Sequence, residues 1–281
     1  LITLLLKSNK EDILFFTECL SFKKADQVVT AKIIHKLRPS LKIWGMVHCI
    51  PAILEDLYPR KNYGSILGPF KYIVTLGSSL TRYFVDNGVE DKKVHTLFHY
   101  VDKDYYKHST EVVREELKDY KLHCICMGNL GRDYKMLLNI VSALPEIHFD
   151  ICKGKKDIDY LFDNHSNVTL HGFMSEDNLK ALMEQNDVSL NIMVDTIGSN
   201  VICTSLAMGL AMVCSDVGSI RDYCDDGNAI LCNNLGDFKK ALNSLANNRE
   251  RVKTMKRNSL KRSDGDSITK YYSELNAYLT K

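Results

Sequence analysis

Ten short apolar runs alternate with amphipathic stretches along this 281-residue chain. The runs span Asp12–Phe16, Lys42–His48, Tyr72–Leu76, Val94–Phe98, His123–Met127, His148–Cys152, Val168–His171, Val188–Ile192, Ala211–Cys214 and Ala229–Cys232. Most are rich in β-branched or aromatic residues and do not alternate strictly between apolar and polar. Strands buried on both faces read this way, because neither face meets water. Between them, Ala25–Leu37, Ser79–Asn87, Lys135–Leu144, Ser175–Gln185, Asn200–Met208 and Leu235–Ala246 carry helical periodicity, with Ser175 placed as an N-cap. Strand–helix alternation predicts βαβ units, parallel sheets and right-handed crossovers. The expected fold class is therefore α/β with Rossmann-like units.

Composition narrows the function classes. Hydrophobic residues make up 45% and charged residues 26%, with a net charge of +2, which excludes disordered and fibrous classes. No apolar run reaches the roughly 18 residues of a membrane span, and LITLLL is too short for a signal-peptide core. Nine scattered cysteines, several inside apolar runs, predict free buried thiols and a cytoplasmic chain. Cys124 and Cys126 lack metal spacing, so no metal and no cofactor is expected. Residues 1–107 carry 16 Lys and Arg against 11 Asp and Glu, while the remainder carries 21 against 24. That surplus allows peripheral contact with an anionic membrane surface; without interleaved aromatics it gives no support to nucleic-acid binding.

A polar stretch near 107–120, expected to hold a short helix, suggests a division into 1–107, an incomplete first Rossmann-like domain, and 108–262, a second and fuller one. Residues 263–281 are then a final amphipathic helix.

Four segments, in order, carry a family resemblance. Thr75–Lys103 contains Gly88-Val89 and Val101-Asp102. Cys126–Leu144 contains Gly128, Arg132, Asp133, Tyr134 and Leu137-Leu138. Val168–Ser175 contains Gly172-Phe173. Asp195–Cys224 contains Gly198-Ser199-Asn200 and Asp216-Val217-Gly218. Together they resemble the GT-B-fold nucleotide-sugar glycosyltransferases of family 4, the retaining group 1 enzymes. The resemblance implies transfer of a sugar from a nucleoside-diphosphate sugar to a saccharide or lipid-linked acceptor. The sugar nucleotide is a substrate, not a cofactor.

The loop after His123–Met127 opens a helix, and amides at helix starts suit a diphosphate. Arg132 is the expected phosphate cation and Lys135 the second, because a guanidinium fork matches phosphate oxygens better than an ammonium does. The alternative is that Arg132 pairs with Asp133 or Glu146 at the surface. The resemblance adds Gly128, Asn129, Gly172, Phe173, Gly198, Ser199, Asn200, Val201, Thr204 and Asp216 to the donor site, with Asp216 bracing the loop before Asn200. Arg132 and Lys135, together with His48 at a strand end, are the catalytic candidates; His48 reads equally as a packed core histidine. The family's E-x7-E motif falls on Thr196 and Thr204, neither of them acidic. On that account a catalytically inactive glycosyltransferase-like binding subunit stays open, and, because a fold alone does not fix chemistry, so does a GT-B-type sugar epimerase.

Overall fold

The structure is a computed structural model that describes residues 7–20, 27–59, 62–107 and 121–279. The helix expected across 108–120 lies outside them. All ten anticipated strands form, every pairing between them is parallel, and they divide into two sheets.

The first unit comprises Leu1–His99 with Tyr271–Lys281. Its sheet has the order β1 (Ile13–Phe16), β2 (Lys42–Val47), β3 (Tyr72–Thr75), β4 (Val94–Thr96). The connecting helices are α1 (Gln27–Leu37), α2 (Pro51–Leu57), α3 (Tyr63–Ile66) and α4 (Ser78–Asp86). Trp44, Met46, Val74, Leu76 and Leu97 form one core layer. Tyr271, Leu275, Tyr278 and Leu279 of α12 (Ile268–Leu279) pack onto that layer, and Tyr278 stacks on His95 at 4.6 Å. The tail helix thus completes the first unit rather than standing apart.

The second unit, Tyr100–Lys270, holds six strands. They are β5 (His123–Cys126), β6 (His148–Gly154), β7 (Val168–Gly172), β8 (Val188–Asn191), β9 (Ala211–Ser215) and β10 (Ala229–Cys232), in the order β10-β9-β8-β5-β6-β7. Strand order therefore reverses between β5 and β8, the switch point where doubly wound sheets place their ligands. Every residue of β8 and β9 is buried. β9 is apolar up to Ser215, whereas β8 alternates, and its buried Ser189 and Asn191 are held by hydrogen bonds to Ser205 and to each other. The helices are α5 (Tyr134–Ala143), α6 (Asp159–Phe162), α7 (Glu176–Glu184), α8 (Asn200–Ala207), α9 (Ile220–Tyr223), α10 (Leu235–Ala246) and α11 (Arg249–Ser263).

Packing, not propensity, decides these helices. α10 buries Phe238, Leu242 and Leu245, each contributing about 1.5–3 kcal/mol against a few tenths from intrinsic preference. Ser175 caps α7 by accepting from the Asn178 amide at 3.3 Å, as anticipated. α11 was not anticipated. Its buried face is Val252, Met255, Ser259 and Ser263, so half of its helical stripe is serine. Ser259 Oγ donates to the Leu210 carbonyl at 2.6 Å, which lets a polar residue sit in the core. Among the described residues, no helix is long and apolar enough to cross a membrane.

Candidate functional site

Two loops leave the sheet at the switch point. The loop after β5 runs from Met127 to Asp133, and the loop after β8 from Ile192 to Ser199. They zip together in antiparallel fashion: Asp133 N–H donates to the Ile192 carbonyl at 3.1 Å, and Val194 N–H to the Gly131 carbonyl at 2.9 Å. Asp133 then caps α5, its carboxylate accepting from the Met136 amide at 2.9 Å. Its carboxylate is committed to the helix start and forms no ion pair with Arg132.

Arg132 turns inward. Its guanidinium lies against Gly128, where a Cβ would stand 2.8 Å from Nη2 and 3.2 Å from both Nε and Val201 Cγ2. Gly128 has φ +85°, a conformation a side chain resists, so it is required twice over. Arg132 Nε is buried without a hydrogen-bond acceptor, and no carboxylate pairs with the guanidinium among the described residues. Burial lowers its pKa, with Cys214, Cys126 and Tyr134 opposing. The surface pairing with Asp133 or Glu146 does not form. A desolvated cation without an anion is costly, and a site for an anionic ligand is where such a cost is retained.

The β8 loop delivers the third component. Ser199 caps α8, its hydroxyl accepting from the Ile202 amide, and Gly198 precedes it at φ +93°. A Cβ on Gly198 would strike the Tyr223 hydroxyl at 2.3 Å. Gly128, Arg132 and Val201 are thus brought together at the mouth of α8, with Ser199 and Asn200 in the same turn. Lys135 lies exposed on α5 and Asn129 exposed in the loop. Gly172 closes β7 with open space where a Cβ would stand, and Phe173 beyond it is 79% exposed, not core.

One expectation is corrected. Asp216 does not brace the β8 loop through its side chain; its carboxylate takes a two-pronged bond from Arg221, at 2.9 and 2.6 Å. The brace is the backbone just after it. Ser219 N–H donates to the Thr196 carbonyl at 2.7 Å, and Gly218 presses on the same peptide.

Lys156 escaped the sequence reading. Its ammonium donates to the Asn129 carbonyl at 2.8 Å and sits 4.7 Å from the Tyr134 ring centre, tying the end of β6 to the β5 loop. Lys155 lies over Phe173 at 5.6 Å. The available signal was the Lys153-Gly-Lys-Lys run directly after a strand. His48 follows β2 in the first unit. The protein around its ring lowers its pKa while Glu18 raises it.

Residues 121–248 match the family described as Glycosyl transferases group 1. The matched residues lie within the second unit. No curated protein matches the sequence. Among solved structures, HepE of Anabaena, in complex with UDP and glucose, is 13% identical with TM-score 0.78, covering 96% of this chain and 78% of that one. Sucrose-phosphate synthase from Thermosynechococcus elongatus is 10% identical with TM-score 0.76, covering 95% and 72%. An α,α-trehalose 6-phosphate synthase from Burkholderia multivorans is 12% identical with TM-score 0.76, covering 99% and 73%. The fold is accordingly GT-B, built of two Rossmann-like units.

Within the matched segment, the two threonines at the E-x7-E positions are occupied by local bonds. Thr196 is buried and its hydroxyl accepts from the Gly198 amide at 3.2 Å. Thr204 donates to the Asn200 carbonyl at 2.7 Å, along its own helix. Both stabilise the β8 loop and α8 rather than presenting a carboxylate.

Proposed function

We propose that this chain transfers a sugar from a nucleoside-diphosphate sugar to a saccharide or lipid-linked acceptor, with retention. The observation that carries this reading is the half-buried Arg132 at the β5–β8 switch point, whose buried Nε has no acceptor. Support for a uridine donor comes from HepE, whose structures hold UDP and UDP-glucose. In the proposed reaction the bond from the anomeric carbon to the diphosphate breaks, the acceptor hydroxyl oxygen bonds to that carbon, and its proton leaves. Charge accumulates on the departing diphosphate. Arg132, Lys135 and the amides opening α5 and α8 stabilise it there, in a site where burial strengthens each interaction. Gly172 and Phe173 are assigned to the base. His48 is the candidate proton acceptor, since a lowered pKa keeps imidazole neutral near neutral pH. We assign no cofactor and no metal to this step.

A second reading, a catalytically inactive sugar-nucleotide-binding subunit, draws on Thr196 and Thr204. A carboxylate that would hold donor hydroxyls is missing at both positions, and a neutral hydroxyl accepts more weakly. Calorimetric titration with UDP, GDP and their sugars, followed by product analysis, tests both. Binding of a UDP-sugar with transfer is the expected result. Binding without transfer supports the subunit, and absence of binding to every nucleotide refutes the donor site.

The acceptor side bears on location. Val29, Ile33 and Leu37 form an exposed apolar stripe along α1, flanked by exposed Lys32 and Lys36. Apolar residues beside lysines on one helix face suit an anionic bilayer surface. We place the chain in the cytoplasm, peripheral on the inner membrane face. Pelleting with phosphatidylglycerol vesicles at low salt, lost at high salt and in Ile33→Glu, is the expected outcome. Pelleting that ignores both would refute the contact.

A further inference from the structure

A second polar cluster lies away from the Arg132 loop, on the same sheet. His123 opens β5 and His148 opens β6, and the parallel register sets them opposite one another. Their rings are 4.8 Å apart between centres. Asp150 stands two residues further along β6 and therefore on the same face. One ligand atom from each of His123, His148 and Asp150 lies within 4.8 Å of the others. His148 Nε2 is 3.6 Å from Asp150 Oδ1. Tetrahedral donors at about 2.1 Å from zinc are about 3.4 Å apart, so small ring rotations close the set.

The surroundings are those of a held ligand group. Asp150 is 6% exposed, yet both of its oxygens are bonded from outside the trio. His171 Nε2 lies 2.7 Å from Oδ1, and Asn186 Nδ2 donates to Oδ2 at 3.0 Å. Thr169 Oγ1 is 3.3 Å from His148 Nε2. The Asp187 carboxylate accepts from the His123 amide at 3.2 Å, with Lys256 at 3.8 Å beyond it. Partners that fix a ligating carboxylate or imidazole are a regular part of metal sites. His148 and His171 keep 21% and 23% of their side chains exposed, which leaves an entry path.

We infer that His123, His148 and Asp150 form a binding site for one borderline divalent cation, Zn²⁺ above all. Two imidazoles and one carboxylate select zinc, copper or nickel over magnesium or calcium, which prefer oxygen. A fourth position is open to water. The ion would cross-link β5 to β6 and, through His171, the edge strand β7. It sits at the strand starts, about 13 Å along β5 from the loop that begins at Met127, so its effect is on the stability of the sheet edge. The ligands come from two strands at unrelated spacings, which is why no sequence pattern announces them. This inference does not rest on the glycosyl-transfer reading.

The full chain, stripped with chelator and kept reduced, is titrated with ZnSO₄ by calorimetry and by thermal unfolding. One equivalent of Zn²⁺ is expected to bind and raise Tm by several degrees, with no response to Mg²⁺. His171→Ala is expected to weaken binding by ~10–100-fold and His123→Gln by more. Because Asp150 variants could unfold, Co²⁺ substitution of the unaltered protein provides an independent readout. It should give a d–d spectrum of nitrogen and oxygen ligands without a thiolate charge-transfer band. A thiolate band, equal affinity in His123→Gln, or a matching response to Mg²⁺ overturns the site.

Discussion

Arg132→Ala is expected to reduce sugar transfer by ~10²–10³, the cost of losing one preorganised donor to a developing charge. UDP affinity falls with it, because the fork that would grip the diphosphate is gone. The unusual part is stability. The side chain is half-buried, its buried Nε has no acceptor, and no carboxylate among the described residues balances it. An uncompensated buried donor costs about 1–3 kcal/mol, so the ligand-free protein should lose nothing when it is removed. Arg132→Met, which fills the space without charge, should gain about 1 kcal/mol in urea unfolding while losing donor binding. Arg132→Lys keeps a charge but not the two-pronged geometry and should fall between. Calorimetry with UDP and equilibrium unfolding on the same variants check this. Undiminished UDP binding in Arg132→Ala, or a loss of stability parallel to the loss of binding, would overturn the assigned role.

Gly218→Ala should have the largest effect on stability. Gly218 has φ +52°, and a Cβ there would stand 2.1 Å from the Thr196 carbonyl oxygen and 2.3 Å from Asp195 Oδ1. The left-handed conformation costs a non-glycine about 1–2 kcal/mol. A clash with backbone cannot be relieved by a rotamer change, and overpacking of this kind adds about 1–3 kcal/mol. Moving the segment also breaks the Ser219-to-Thr196 bond of 2.7 Å. The sum predicts a loss of about 2–5 kcal/mol together with weakened UDP binding, since the same peptide sets the path of the loop into α8. Gly172→Ala is the control. Nothing lies within 4 Å of its Cβ position, so its stability should change by less than about 0.5 kcal/mol. Equal urea midpoints for Gly218→Ala and Gly172→Ala would refute the steric account.

Much of this was legible in the residues. β9 could be read as a strand because burial on both faces leaves a short apolar run, Ala211–Cys214. The start of α7 was legible through Ser175, which caps it. Gly128 and Arg132 could be paired from motif order, and they meet in space. α11 was hidden, since Ser259 and Ser263 are buried by hydrogen bonding rather than by hydrophobicity. Asp216 was misjudged because a carboxylate takes the nearest available cation, and a turn of helix places Arg221 there.

The residues by themselves determined which segments become strands and helices, because burial and helix capping act over a few neighbours. Tertiary structure alone decided strand order, the inward turn of Arg132, the reach of Lys156 to Asn129 and the meeting of His123 with Asp150. Each of those depends on groups far apart in the chain. Their energies depend on distance and desolvation, which only the assembled sheet sets.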